Sequence, residues 1–353
     1  MDHFIGLDGH KNSCTFVVLD RKGRRKRQKV VATKTEALVE FVSSVSGRRH
    51  LCLEEGAQSQ WFFEIFSAHV DDLVVVHGRR NPGNKSDGED AFNLANRMRI
   101  GDLGPRIFKS PTSFVALKEL MRSYEMLNQD LARVKNRIKH LYRARGVCFA
   151  PQGCPFCKDS TAPRLASCAK PGFHQALARL RAQQESLAPL KAAAKKDMIT
   201  EAHRYPITRI LETAPGIGPV RASELLAIVL TPHRFRTSRQ FWCYCGLGIV
   251  QRSSSDWVPQ PNGKWIRAPV LQSRGLNRNF NRTAKAIFKG AAMSVITCMK
   301  EDPLHGDYQR LLEKGTKPNL ARLTIARKIA ALVLAMWKKQ EGYAPEKYRV
   351  NTK

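Results

Sequence analysis

Hydrophobic and polar positions along the first hundred residues switch between two periods. FIGLD (4–8) and CTFVVLD (14–20) are short apolar runs of the kind that fill buried strands. KVVATK (29–34) continues that pattern after the basic turn RKGRRKRQ (21–28), so the three predict an antiparallel meander. TEALVEFVSSV (35–45) then spaces its apolar residues as a helix does. HLCLEE (50–55) returns to a strand, SQWFFEIFSAHV (59–70) to a helix, DLVVVHG (72–78) to a strand and DAFNLANRMRIG (90–101) to a helix. Three strands followed by alternating helix and strand predict an α/β domain of ribonuclease-H-like type over residues 1–110.

The period changes again at Leu117. Leu117, Leu120, Tyr124, Leu127, Leu131, Val134, Ile138 and Leu141 alternate steps of three and four, the seam of a coiled coil. Phe173, Leu177, Leu180, Leu187, Ala194 and Met198 form a similar seam on a return segment, interrupted by Gln184 and Lys191 and carrying Pro189, which predicts a kink. Residues 111–204 are therefore expected to form an antiparallel coiled-coil arm with residues 147–172 at its tip. Residues 205–353 read as a mainly α-helical domain. It opens with a helix-hairpin-helix-like segment, ILETAPGIGPVRASELLAIVL, and closes with the helix LARLTIARKIAALVLAMWKK.

Charge narrows the partner. The 353 residues carry 60 Lys and Arg against 30 Asp and Glu, a net +30. A surplus of that size calls for a polyanion, because each phosphate neutralised releases a condensed counterion. No long basic amphipathic helix faces Trp, Phe and Leu to one side, so nucleic acid is favoured over a membrane surface. The apolar run IAALVLAMW falls far short of the roughly 20 residues that span a bilayer. With an acid in its first residues, no signal peptide and nine scattered Cys, the chain is expected in the cytoplasm with reduced thiols.

Five groups of residues could carry chemistry. Asp8 closes an apolar strand, Glu54 and Glu55 close another, and Asp87 and Asp90 stand three apart at a helix start, on one face. Capping and solvation would explain each acid alone. Gathered by one fold, they would repel one another until hard divalent cations such as Mg²⁺ relieved the repulsion, two ions about 4 Å apart serving phosphodiester chemistry. GLGIVQRSSSDW (246–257) is a phosphate-contacting loop, a nucleophile segment or a polar turn. In PGIGP, Gly216 and Gly218 allow a tight turn of the sort that grips phosphate at a helix start. Cys148, Cys154, Cys157 and Cys168, with His174 nearby, either bind Zn²⁺ at the arm tip or are ordinary cysteines, whereas Cys243 and Cys245 read as core. Finally, Arg24, Arg25 and Lys26 at a hairpin tip, and Lys264, Arg267, Arg274, Arg278 and Arg282, can line a nucleic-acid groove. Trp257, Trp265 and Phe280 are interleaved with the second set for base stacking.

In their order, FIGLD, LEEGAQSQW, KSDGEDAFNLA, LETAPGIGPVRA, SRQFWCYCGLGIVQRSSSD and the closing ARKIAALVLAMW and GYAPEKY resemble the DEDD transposases of bacterial insertion sequences. The resemblance implies a bridge-RNA-guided recombinase, with a RuvC-like N-terminal domain and a C-terminal transposase domain. It assigns Asp8, Glu55, Asp87 and Asp90 to the metals, Glu55 being preferred to Glu54 by its distance to Trp61. It also assigns the nucleophile to Ser254, with Ser253 and Ser255 as neighbours. The metal-activated serine would cut the strand as a phosphoserine and a freed hydroxyl would rejoin it. The implied partners are double-stranded donor and target DNA, a noncoding guide RNA and further copies of the chain in a dimer or tetramer. The rival readings are a RuvC-like junction resolvase that cuts with water, and a nucleic-acid-binding protein without activity.

Overall fold

The computed structural model describes residues 1–78, 86–104, 106–109, 114–147, 171–251, 257–267 and 273–346. They form two compact units, Met1–Ser113 and Phe114–Lys353.

The first unit is built on a six-stranded mixed sheet. β1 (Asp2–Gly9), β2 (Ser13–Leu19) and β3 (Arg25–Ala32) are the expected antiparallel meander. After α1 (Thr35–Ser43), β4 (Arg48–Glu54) pairs parallel to β1; after α2 (Ser59–Phe66), β5 (Asp72–Val76) pairs parallel to β4. α3 (Asp87–Ile100) leads to a two-residue β6 (Arg106–Ile107), antiparallel to β5, so the sheet order is β3-β2-β1-β4-β5-β6.

Each face of the sheet is covered by a different helix set. Ile5, Leu7, Leu51 and Leu53 pack with Leu38 and Phe41 of α1 and Phe62 and Phe66 of α2. The alternate residues turn to α3: Cys52, Val74 and Val76 meet Leu94 and Met98. Gly6 lies so close to α3 that a Cβ there would fall 1.8 Å from the Ala91 carbonyl oxygen. Glycine is what lets the helix seat directly on β1.

The second unit is helical apart from short ribbons. α4 (Val115–Arg143) and α5 (Pro171–Ala202) are long helices that run antiparallel. Tyr142 packs on Phe173 with ring centroids 5.5 Å apart, beside Ile138 and Leu177. At the other end, Leu117 and Met121 share a core with Met198 and Ala202. α5 continues through Pro189, and Lys191, one of the polar interruptions in the seam, lies over the ring of Tyr124.

α6 (Pro206–Glu212) and α7 (Pro219–Val229) flank the PGIGP turn, and α8 (Ser238–Tyr244) follows. β7 (Ile249–Gln251) pairs with β10 (Ser273–Leu276), and β8 (Trp257–Pro259) with β9 (Trp265–Arg267). α9 (Arg282–Cys298), α10 (Pro303–Glu313) and α11 (Pro318–Lys339) complete the unit. Ile329, Ala330, Val333, Leu334, Met336 and Trp337 of the apolar run IAALVLAMW are buried in α11 and share a core with Phe241, Phe288 and Val295. Among the described residues, no helix is long and apolar enough to cross a membrane.

Candidate active site

The carboxyl ends of β1 and β4 open a cleft of about 530 Å³, lined by Asp8, His10, Glu54, Glu55 and Ser59 among others. Leu7 pairs with Leu53 in register, and both face α1 and α2. Asp8 and Glu54, one step further along the two strands, therefore turn toward the α3 side. The start of α3 is set by Ser86, whose hydroxyl caps the helix by accepting from the Glu89 N–H at 3.3 Å. Asp87 and Asp90 share one face of the first turn, while Glu89 leaves in another direction and meets Arg25 of β3 at 3.3 Å.

Together these placements bring two of the four expected acids into reach of one another. Single ligand atoms of Asp8, His10 and Asp87 all lie within 4.8 Å of one another. An ion about 2.1–2.3 Å from each donor fits such a set after a small adjustment. Asp90 sits one helical turn beyond Asp87 and outside that trio.

Glu55 is placed differently. It follows β4, its N–H donates to the Val76 carbonyl at 2.8 Å, and its carboxylate takes Lys109 Nζ at 2.8 Å. Ser59 Oγ donates to the same carboxylate at 3.0 Å and itself accepts from Lys109 at 3.1 Å. Lys109 is largely buried, so the Glu55–Lys109–Ser59 contacts fix the loop between β4 and α2. Glu54 instead extends toward Gly78, where a Cβ would lie 3.0 Å from its Oε2.

His10 and Lys109 escaped the reading of the sequence. The signal for His10 was present, since Asp8 and His10 are two apart at a strand end and so share a side. Lys109 follows a two-residue strand and carried no pattern.

The basic residues expected at the first hairpin are held by acids of their own unit. Arg24 Nε lies 2.8 Å from Asp20 and Lys26 Nζ 3.7 Å, while Arg25 also stacks over Phe92. Burial works to raise the Asp20 pKa, but the N–H and guanidinium of Arg24 outweigh it and hold the carboxyl at about 2.

In the second unit, Gly216 takes φ +70° and lies against α9, its carbonyl accepting from Arg221 at 2.6 Å; Gly218 faces open space. Gly218 is the N-cap of α7, with no atom within 4 Å of where a Cβ would stand, whereas Gly216 is packed against backbone. Lys264, Arg278 and Arg282 are exposed, as are Trp257 and Trp265 on the β8–β9 ribbon. Arg267 and Arg274 lie on β9 and β10. Cys245 is buried, as expected, but Cys243 is exposed, because the short helix α8 presents it to solvent. Ser253, Ser254 and Ser255, and Cys148, Cys154, Cys157 and Cys168, lie outside the described residues.

Two family models match the chain. Residues 5–144 match a DEDD transposase model of the IS110 type, and residues 208–308 match the Transposase IS116/IS110/IS902 family. The first spans the sheet, the cleft and α4, and the second spans the PGIGP turn, the β7–β10 ribbons and α9. The chain belongs to the IS110/IS116/IS902 transposases. It is a DNA transposase of an insertion sequence, an enzyme that cuts and joins DNA. DEDD transposases typically depend on a divalent metal, and the cleft of this transposase holds an acidic group that suits one. No curated protein matches the chain.

Proposed function

We propose that this transposase cuts and rejoins DNA strands at the cleft of its first unit, a ribonuclease-H-like (RuvC-like) fold, with a noncoding bridge RNA selecting the DNA. The convergence of Asp8 and Asp87 on one point, from a strand and a helix distant in sequence, carries this reading. Divalent ions held there, Mg²⁺ in the simplest case and two in number, would supply positive charge to the attacking and leaving oxygens. The protein's part is to hold the carboxylates: Asp8 on the rigid end of β1, Asp87 and Asp90 on the capped first turn of α3.

Two arguments assign the glutamate differently. The distance to Trp61 supports Glu55. The register of β1 with β4 supports Glu54, which shares the side of Asp8, whereas Lys109 and Ser59 already hold Glu55. The proposal takes Glu54 as the metal-holding acid and Glu55 as the residue that orders its loop.

Sequence resemblance supports Ser254 as nucleophile. Its Oγ would attack the phosphorus and displace a strand hydroxyl, leaving a phosphoserine. A second hydroxyl would then displace the serine and reseal the strand, with one P–O bond broken for each one formed. A coiled-coil arm, a helix-hairpin-helix grip at Gly218, zinc at the four tip cysteines, and assembly as a dimer or tetramer belong to the same proposal.

The test is a strand-transfer assay with the purified protein, its RNA and donor and target DNA. Asp8→Ala and Asp87→Ala are expected to abolish product while DNA binding persists. Retention of recombination in both would refute the reading. Glu54→Gln is expected to cost more than about 100-fold and Glu55→Gln about tenfold, since loss of a ligand exceeds the 10–100-fold cost of a lost supporting partner. The reverse order would return the role to Glu55.

A further inference from the structure

The cleft contains a donor that its acids do not require. His10 follows β1 directly, and two backbone bonds pin it: its N–H donates to Ser13 at 3.0 Å and its carbonyl accepts from Thr33 Oγ1 at 2.9 Å. Gly9, between Asp8 and His10, is tightly confined, since a Cβ there would fall 2.5 Å from the ring of Phe62. The main chain can thus pass close over Phe62, and the residues on either side of Gly9 turn the same way. The imidazole Nδ1 stands 3.8 Å from Asp8 Oδ2, and the His10 ring is about half exposed to the cleft.

A hydrogen bond and a shared metal ion are the two ways in which an imidazole and a carboxylate commonly meet, and the separation distinguishes them. At 3.8 Å the pair is too long for a hydrogen bond, so the imidazole is not simply held by Asp8. Two donors of one metal ion at right angles, by contrast, are separated by about 3 Å, and opposite donors by somewhat over 4 Å, given bonds of 2.1–2.2 Å. The Asp8–His10 separation falls between those two values, and the ligand atoms of Asp8, His10 and Asp87 all lie within 4.8 Å of one another.

We propose that His10 is a third protein ligand of the ion held by Asp8 and Asp87, and that its nitrogen tilts this site from Mg²⁺ toward Mn²⁺. The inference rests on the metal site proposed above and adds one residue and one preference to it. Mg²⁺ holds to oxygen donors and keeps its water, whereas an imidazole suits the transition ions, of which Mn²⁺ still accepts carboxylates well. A site of carboxylates alone would distinguish the two ions weakly. One with an imidazole would favour Mn²⁺ clearly.

Mn²⁺ itself is the probe. The full-length protein is titrated with Mn²⁺ and, separately, with Mg²⁺ by calorimetry, and the bound Mn²⁺ is examined by pulsed electron paramagnetic resonance for coupling to an imidazole ¹⁴N. The wild-type protein is expected to show that coupling. His10→Ala and His10→Gln are expected to lose it and to bind Mn²⁺ at least about tenfold more weakly, with Mg²⁺ affinity changed by less than about threefold. The ring is exposed enough for both variants to keep their circular dichroism spectra. Mn²⁺ bound without nitrogen coupling, or coupling that survives in both variants, would overturn the role of His10 and leave the carboxylate site standing. Mn²⁺ that binds the wild-type protein no more tightly than it binds Asp8→Ala would overturn both.

Discussion

A carboxylate's role is decided by what already holds it, and the transposase offers contrasting cases. Asp20 is held by the N–H and guanidinium of Arg24, Glu55 by Lys109 and Ser59, and both therefore serve structure first. Glu224 in the second unit is the opposite case. It lines a cavity of about 370 Å³ between α4, α7 and α9 with Tyr124, Glu125, Arg221 and Arg282. Burial pushes its pKa up to about 7, the Glu125 carboxylate adds to the rise, and Arg221 opposes it. The sign follows from linkage. An acid whose pKa is raised on folding binds more protons folded than unfolded between its two pKa values, so stability falls as pH climbs through that window. From about pH 4.5 to about pH 7 this single group should withdraw roughly 2–3 kcal/mol from the second unit. Denaturant unfolding of wild type and Glu224→Gln across that range measures the difference. The variant is expected to gain on the wild type steadily up to about pH 7, and a pH-independent difference would mean that Glu224 is solvated.

Elements were legible in the sequence where they were long or strictly patterned. The meander, β4, β5 and the three helices of the first unit follow from the alternation of period two and period 3.6. β6, at two residues, and the ribbons β7 to β10, at three or four, are too short to show a period, so the sequence shows neither β6 nor the ribbons of a second unit that reads as mainly helical. The preference for Glu55 over Glu54 rests on spacing to Trp61, which carries no information about the side of a strand. A step of one residue reverses the side of a strand, and only the pairing of Leu7 with Leu53 fixes which side faces α3. Gly216 was legible as a turn but not as a packing position. Its φ of +70° and the Ala291 carbonyl of α9, 2.4 Å from where a Cβ would stand, exclude any side chain without moving one element off the other. Gly216→Ala is expected to cost at least about 2 kcal/mol, from left-handed strain plus backbone overlap. For a unit of this size that lowers the melting temperature by about 4–8 °C. Gly218→Ala, at a position of extended backbone with open space around it, should cost less than about 1 kcal/mol. Equal losses for the two glycines would show that the close contact with α9 is not what the turn requires.

At the scale of the molecule, the surplus of 30 positive charges makes a prediction that no single residue makes. Some basic side chains are already balanced: Arg24 and Lys26 by Asp20, and Arg25 by Glu89. The unbalanced remainder must meet phosphate. Contact with 6–10 phosphates would lower DNA affinity by about 10³–10⁵-fold between 50 and 200 mM salt, with a logarithmic slope near −0.9 per phosphate. Fluorescence anisotropy with a labelled duplex gives that slope directly, and a slope near zero would remove nucleic acid as the reason for the charge. Charge alone would also recruit cellular RNA without selection, so bound RNA is not in itself a guide. The two kinds of RNA differ in how they leave. RNA held by counterion release is heterogeneous in sequence and washes off as salt rises, by the same slope as the duplex. A dedicated guide is read through its shape and unpaired bases, contacts that salt weakens far less. Sequencing the RNA that remains on the purified transposase after a high-salt wash is therefore expected to return one discrete noncoding species, and a residue of mixed fragments would remove RNA guidance from the proposal while leaving the transposase itself intact.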